Sequence, residues 1–327
     1  MRCFAFRVVT LAFAMATCFT AQSTVSAQEA AMTPLKVGTI TKAAATTDLW
    51  SANQRNELKR NGLDVTLIEF SIGNDAIAAN RGGSIDVFLA IPGTVMIADE
   101  RGFDLRAVSQ NEVAKARGPD SGSLQVLSDS PYKSLADLAG KKIAVSTLHG
   151  QRTAAMKTAF KKAGVNPDEL QLTELPYASH FEALKSKYVD AVDTIDPFTT
   201  QLISSGIGRV VAWDYVDSIP EQPLGAWFAT STFIKKNPAT IEKFNTSIKD
   251  SIEYMLADPD RARSEVVAYT GLRPELVQSM PIIGWDYHVR LDKWQAVADM
   301  MLESGELSSK HSADEFLADQ IKPYTSK

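Results

Sequence analysis

Two segments of this chain repeat one order of predicted elements. Residues 65–102 and residues 170–206 each contain a strand, a polar loop, a short helix, a second strand, a proline-containing loop and a further helix. Each is preceded by another strand, loop and helix, at residues 36–62 and 141–164. Strands that alternate with helices of this length indicate βαβ units. We therefore predict an α/β fold of two lobes, each a mostly parallel sheet flanked by helices.

Glycine, proline and serine cluster at residues 117–123, which predicts the first crossing between the lobes. An apolar and aromatic strand at residues 225–232 predicts the return crossing, and amphipathic helices follow it. These helices have no sheet of their own, so we expect them to pack on lobe one. Lobe one is thus predicted to comprise residues 28–123 and 226–327, and lobe two residues 124–225, with two hinge crossings between them.

The N-terminus has the pattern of an export signal. Arg2 and Arg7 precede an apolar run, residues 8–17, that is too short to span a bilayer. Small residues at positions 25–27 form a cleavage site. We predict that residues 1–27 are a signal peptide and that the mature protein is periplasmic.

Composition excludes several kinds of chemistry. Both cysteines, Cys3 and Cys18, lie in the predicted leader, so the mature chain has no disulfide and no thiolate nucleophile. The residues before Cys18 fit a lipoprotein signal poorly, so we do not expect lipid anchoring. The 4 histidines lack the spacing of a metal site, and we predict neither metal nor cofactor. A formal net charge of −5 argues against nucleic-acid binding.

Several segments carry a family resemblance. They are KVGTI, EFSIGNDAIAANRGGSIDVFLA, SLADLAGKKIAVSTLHGQRTAA, DAVDTIDPF and GAWFATSTFIKKNP. In their order and their residues, these segments resemble the periplasmic solute-binding proteins of ABC importers, within the nitrate, taurine and alkanesulfonate branch. The resemblance extends over about residues 35–306. It implies a two-lobed type II periplasmic binding protein, a monomer that closes on a small solute and delivers it to an ABC permease and its ATPase.

Ligands of open α/β sheets bind outside the carboxyl ends of the strands. Residues 146–153 form such a loop and lead into a helix whose free N–H groups and dipole favour an anion. The loop lacks the G-x-x-x-x-G-K-[ST] pattern, so a triphosphate is not expected. Arg152 could form a bidentate pair with a sulfonate or carboxylate. The alternatives are a solvated side chain and a structural pair with a nearby carboxylate.

Other candidates also have structural alternatives. Thr46 and Thr47 could contact ligand oxygens or cap a helix, and Trp50 could line the site or belong to the core. Asp196 before Pro197 is typical of a helix cap, although it would also suit an ammonium or a ring N–H. The predicted ligand-binding set is Thr46, Thr47, Trp50, Ser71, Asn74, Pro92, Gly93, Thr94, Ser146, Thr147, Gln151, Arg152, Asp196 and Trp227.

We predict a binding protein and not an enzyme, with a sulfonate or taurine-like compound as its small anionic ligand. Aromatic carboxylates, nitrate and pyrimidines remain alternatives, as does a ligand-sensing adaptor for a membrane receptor. The related thiamine-pyrimidine precursor synthase depends on a cysteine-rich iron motif, which the mature chain lacks. No G-x-S-x-G motif of a serine hydrolase is present either.

Overall fold

A computed structural model describes residues 32–71 and 73–326. The predicted signal peptide and both cysteines lie outside these residues. Within the part of the chain that the structure describes, no helix has both the length and the apolar character needed to cross a membrane.

The elements alternate along most of the chain. The strands are β1 (Thr33–Ile40), β2 (Leu63–Phe70), β3 (Val87–Ala90), β4 (Leu105–Val113), β5 (Gly122–Leu127), β6 (Lys142–Val145), β7 (Gln171–Glu174), β8 (Ala191–Ile195), β9 (Gly208–Ala212), β10 (Pro223–Thr230), β11 (Val289–Arg290) and β12 (Thr325–Ser326). The α-helices are α1 (Thr47–Gln54), α2 (Glu57–Arg60), α3 (Gly73–Arg81), α4 (Pro92–Glu100), α5 (Gln151–Lys162), α6 (Tyr177–Lys185), α7 (Phe198–Ser204), α8 (Asp214–Ser218), α9 (Ser231–Lys236), α10 (Pro238–Leu256), α11 (Pro259–Thr270), α12 (Pro274–Ser279) and α13 (Leu291–Glu303).

Two five-stranded sheets share one topology. Their strand orders are β2-β1-β3-β10-β4 and β7-β6-β8-β5-β9. In the first sheet β1 is parallel to β2 and β3, and in the second β6 is parallel to β7 and β8. The strand that enters each sheet from the other lobe, β10 or β5, is antiparallel to both of its neighbours. This arrangement confirms the predicted two-lobed α/β fold.

Two short segments join the sheets. Residues 114–121 connect β4 to β5, and residues 219–222 connect α8 to β10. The second segment precedes the position predicted from the sequence, because Pro223 already pairs with Val113 of β4. Proline is tolerated as the first residue of a strand, so the strand begins at a residue that the sequence reads as loop.

Helices cover both faces of the first sheet. Successive side chains of a strand point to opposite faces of the sheet, and in this sheet both faces carry apolar side chains. Phe88 and Phe228 pack against Trp294 of α13 on one face. On the other face Trp227 packs edge-to-face on Phe244 of α10, with ring centroids 5.6 Å apart. The C-terminal helices therefore supply cover that the βα units of lobe one do not provide.

Candidate functional site

The two lobes contact each other on both rims of the cleft. On one rim α5 lies beside α13, and Lys161 Nζ lies 3.0 Å from Glu303 Oε2. On the other rim α7 lies beside α12. The structure therefore shows the lobes in a closed arrangement.

Gln151 joins the lobes across the cleft. It is the first residue of α5, its side chain is buried, and its Oε1 accepts a hydrogen bond from the backbone N–H of Gly93 at 2.8 Å. Its Nε2 donates to the carbonyl of Pro223 at 2.7 Å. A Cβ at Gly93 would lie 2.8 Å from Gln151 Cβ, so only glycine permits this approach. The structure thus brings two of the predicted site residues together.

The start of α4 has few free backbone N–H groups that could bind an anion. Pro92 has no N–H, Gly93 donates to Gln151, and the N–H of Thr94 donates to the carbonyl of Ile91 at 3.1 Å. Pro92 and Gly93 are buried and Thr94 is half-buried. The predicted contact of residues 92–94 is therefore made to the protein itself in this closed arrangement.

The start of α5 is different. Its N-cap is Gly150, at φ 103°, which carries no capping side chain. The backbone N–H groups of Gln151, Arg152 and Thr153 find no acceptor among the described residues. The hydroxyl of Thr153 donates to the carbonyl of Thr147 at 2.7 Å and holds the loop. Unpaired N–H groups at the positive end of a helix dipole are suited to an anion.

Two further predicted residues flank this helix start. Ser146 is half-buried and directly follows β6. Thr147 is exposed, and its hydroxyl accepts from the N–H of His149 at 3.4 Å. Both therefore lie beside the free N–H groups of α5.

Arg152 forms ion pairs with carboxylates of its own lobe. Its guanidinium is 5 % exposed, forms an ion pair with Asp193, lies 3.3 Å from Asp214 and donates to the carbonyl of Thr194. Burial raises the pKa of Asp193 above its usual range, while the guanidinium beside it acts in the opposite direction. Of the roles that the sequence left open for Arg152, the structure shows the structural pair.

Asp196 caps α7, as its position before Pro197 predicts. Its Oδ1 accepts from the N–H of Thr200 at 3.0 Å and from the Thr200 hydroxyl at 2.7 Å. Its Oδ2 is buried and has no partner in the described chain. Burial raises the pKa of Asp196 to about 6. One carboxylate oxygen is thus used by the fold, and the other is not.

Around α1, Thr46 and Thr47 are buried, and their hydroxyls have no partner in residues 32–71 and 73–326. The neighbouring Asp48 accepts from Asn111 Nδ2 at 2.6 Å and from Trp227 Nε1 at 3.3 Å. Burial raises the pKa of Asp48 to about 7. Trp227 is therefore a core residue of lobe one and not a cleft contact, because both faces of its sheet are covered.

The remaining predicted residues lie apart from Gln151. Trp50 is half-buried against Tyr269, with ring centroids 5.9 Å apart. Ser71 and Asn74 are exposed at the end of β2 and in the first turn of α3. No hydrogen bond within the described ranges links these three residues to lobe two.

Sequence reasoning missed Glu112 and Asp120. Glu112 is the last residue but one of β4, is half-buried, and its carboxylate has no hydrogen bond or ion pair with any described residue. Burial, with a further contribution from the charge of Asp120, raises the pKa of Glu112 to about 8. Asp120 is 3 % exposed, and its Oδ2 has no partner among those residues either. The available signal was the run of four polar residues, 109–112, inside a strand that otherwise needs apolar ones.

Comparison with known families agrees with this geometry. Residues 44–262 match the family model described as NMT1/THI5 like. The chain belongs to this family.

Individual relatives are distant but nearly full-length. A candidate binding protein of Brucella abortus is 24% identical over 302 residues, covering 88% of this chain and 91% of the relative. The periplasmic aliphatic sulphonate binding protein SsuA of Escherichia coli superposes with a TM-score of 0.74 at 20% identity, covering 88% of this chain and 98% of that one. The periplasmic nitrate-binding protein NrtA of Synechocystis gives a TM-score of 0.65 at 13% identity, covering 90% and 86%.

These findings confirm the predicted family branch and fold. Each of these proteins is named for binding and not for catalysis, which agrees with the prediction that this chain is a binding protein and not an enzyme.

Proposed function

We propose that this protein is the periplasmic solute-binding component of an ABC-type import system. It captures a small solute between its lobes and presents the closed form to a membrane permease and its ATPase. The observation that carries the proposal is the bridge formed by Gln151, whose side chain bonds Gly93 and Pro223 of the other lobe. A contact that exists only when the lobes meet gives the protein two states, and a solute that touches both lobes favours the closed one.

For the ligand we propose a small organic anion of the sulfonate or taurine-like class. The free N–H groups of Gln151, Arg152 and Thr153 supply the donors that a sulfonate oxygen needs. The E. coli neighbour of similar fold is named as an aliphatic sulphonate binding protein, which supports the same class.

A thermal-shift measurement tests this function. The mature protein is unfolded, refolded to remove bound solute, and heated with taurine, ethanesulfonate, nitrate, benzoate or a pyrimidine. A ligand at 100 times its dissociation constant adds about 2.7 kcal/mol to the free energy of unfolding, which is easily measured. We expect sulfonates to stabilise the protein, and stabilisation by none of these compounds would contradict the proposal.

Two variants localise the effect. Thr153→Val removes the hydroxyl that holds the loop before α5 and should weaken sulfonate binding about tenfold, the value of one hydrogen bond. Thr158→Val, on a half-buried position of the same helix, is the matched control and should bind normally. Stimulation of the reconstituted permease–ATPase by the loaded protein separates transport from a sensing role.

A further inference from the structure

A buried glutamine in the return crossing bonds the cleft residue Gln151. Gln222 is the last residue of segment 219–222 and is fully buried. Its Oε1 accepts a hydrogen bond from Gln151 Nε2 at 3.2 Å. Its Nε2 donates to the carbonyl of Tyr215 and to the hydroxyl of Ser218, each at 2.9 Å, and both belong to α8 of lobe two. The side chain of Gln222 is therefore anchored on lobe two, although the residue lies between the lobes.

Backbone groups fix the direction in which each of the two amides points. The carbonyl of Tyr215 can only accept a hydrogen bond, so Gln222 turns its NH2 group to α8 and its oxygen to Gln151. The N–H of Gly93 can only donate and the carbonyl of Pro223 can only accept, so Gln151 turns its oxygen to Gly93. The two hydrogens of the Gln151 amide then go to Pro223 and Gln222. The two side chains thus form one chain of hydrogen bonds from α8 to the start of α4.

The bond to Gln222 differs from the other two hydrogen bonds of the Gln151 amide. Gly93 begins α4 with Pro92, and Pro223 begins β10 of the first sheet, so the bonds to Gly93 and Pro223 require the lobes to meet. The side chain of Gln222 is held by α8, and α8 lies beside α5, the helix that Gln151 begins. The bond between the two glutamines therefore does not depend on closure.

We propose that Gln222 is a positioning residue that holds the Gln151 amide ready for Gly93 before the lobes close. This inference rests on the proposed function and deepens it, because it identifies a residue that sets how readily the cleft closes. A free glutamine side chain loses rotamer freedom when its amide becomes fixed, and that loss opposes closure. A side chain that is already fixed in the open form loses less, so Gln222 favours the closed form and with it the bound solute.

Calorimetric titration of the mature protein, stripped of bound solute by refolding, tests the inference with ethanesulfonate and taurine as probes. Gln222→Met keeps the volume of the side chain but removes its hydrogen bonds, and it should weaken binding about tenfold. Gln151→Met should weaken binding at least as much, and the double variant should bind within about twofold of Gln151→Met. Gln125→Met is the matched control, because Gln125 is a fully buried glutamine of lobe two whose amide bonds Ser123 and Thr199 of that lobe. Its affinity should equal that of the parent protein.

A role confined to the packing of α8 would not give this pattern. If the losses of Gln222→Met and Gln151→Met multiply in the double variant, Gln222 acts independently of Gln151 and the inference is overturned. Unchanged affinity in Gln222→Met overturns it as well, and so does an equal loss in Gln125→Met. Should Gln222→Met fail to fold, Ser218→Ala replaces it, because it removes one of the two acceptors that hold Gln222. Ser218→Ala should weaken binding in the parent protein but not in Gln151→Met, and unchanged affinity in the parent background overturns the inference.

A measurement without solute separates this inference from the proposed function. Nitrogen-15 NMR relaxation reports the motion of the Gln151 side-chain amide in the stripped protein. We expect a rigid amide in the parent protein and in Gln125→Met, and a mobile one in Gln222→Met. An amide that is already mobile in the parent protein overturns the inference, whether or not a solute binds. A rigid amide together with binding of neither probe supports the hold of Gln222 on Gln151 and contradicts the proposed class of solute.

Discussion

At the scale of single residues, buried charge decides what each side chain does. Arg152 is the clearest case, because its guanidinium neutralises Asp193 and Asp214, both of which are almost fully buried. Removing one partner of a buried ion pair leaves charges that neither water nor protein compensates. This argument gives Arg152 a stabilising role in lobe two that is independent of any solute.

We predict that Arg152→Met lowers the free energy of unfolding by about 3–5 kcal/mol. Urea denaturation followed by circular dichroism measures this loss. Arg101→Met is the control, because Arg101 is exposed and forms no ion pair with the residues described; its effect should stay within about 0.5 kcal/mol. A loss below about 1 kcal/mol for Arg152→Met would refute the buried-pair account.

The raised pKa values of Asp48, about 7, and Glu112, about 8, predict a pH dependence. The unfolded chain releases these protons near pH 4, whereas the folded protein holds them. Stability therefore falls as pH rises from the unfolded pKa values, near 4, to the folded values, about 7 and 8, and levels off above them. Melting temperatures across this range should decline, and the decline should be smaller for Glu112→Gln. A variant with the same slope as the parent protein would show that Glu112 titrates normally.

The sequence identified Arg152 and Asp196 as notable but could not settle their roles. Arg152 meets Asp193 and Asp214, which lie 41 and 62 residues further along the chain. Such partners follow from the fold and not from local pattern. Asp196, by contrast, accepts a hydrogen bond from Thr200, only four residues away. Its capping role could be predicted because both partners belong to the same short segment of sequence.

At the scale of elements, the contact between the starts of α4 and α5 controls closure. Gly93→Ala places a methyl group 2.8 Å from Gln151 Cβ and 3.0 Å from Met301 Sδ. We predict that it weakens solute binding at least tenfold with little loss of stability, because in the open state only the flexible end of Met301, in the same lobe, stays close to the methyl group. Titration calorimetry and thermal unfolding together measure both effects.

Gly82→Ala is the control for this prediction. Its added Cβ would meet only backbone oxygens of the preceding helix, α3, at 3.4 Å and beyond. Its solute affinity should equal that of the parent protein. Unchanged affinity in Gly93→Ala as well would mean that α4 and α5 do not approach in the bound state.

The order of elements was largely predictable, whereas the crossing strands were not. Strands and helices of the βα units show in local periodicity and in glycines such as Gly140, which ends a turn at φ 67°. The antiparallel placement of β5 and β10 depends on which lobe accepts each strand. That placement pairs each strand with partners far away in the sequence, which local periodicity does not reveal.

At the scale of the whole molecule, two lobes of like topology share one cleft and two short connections. The connections, residues 114–121 and 219–222, lie side by side, since the N–H of Ala114 donates to the carbonyl of Gln222. A paired hinge of this kind permits rotation of one lobe against the other while both sheets stay intact. Function then depends on what stabilises the closed state.

The resemblance seen in the sequence predicted this plan, because KVGTI lies in β1 and SLADLAGKKIAV ends in β6, the corresponding parallel strand of the other lobe. The burial of Asp120 and the raised pKa of Glu112 were not predicted, because both depend on groups that the folded chain brings together from distant positions. One fold can therefore be read from motifs while its solute is set by a few residues that the motifs do not contain.

Small-angle X-ray scattering of the stripped mature protein, with and without saturating taurine, tests the central claim most directly. The account predicts that the unliganded protein scatters as an open form and that taurine reduces its radius of gyration towards that of the closed structure. The Gly93→Ala variant should resist this change. An identical radius of gyration in both conditions, at taurine concentrations that calorimetry shows to be saturating, would contradict capture by closure of the lobes.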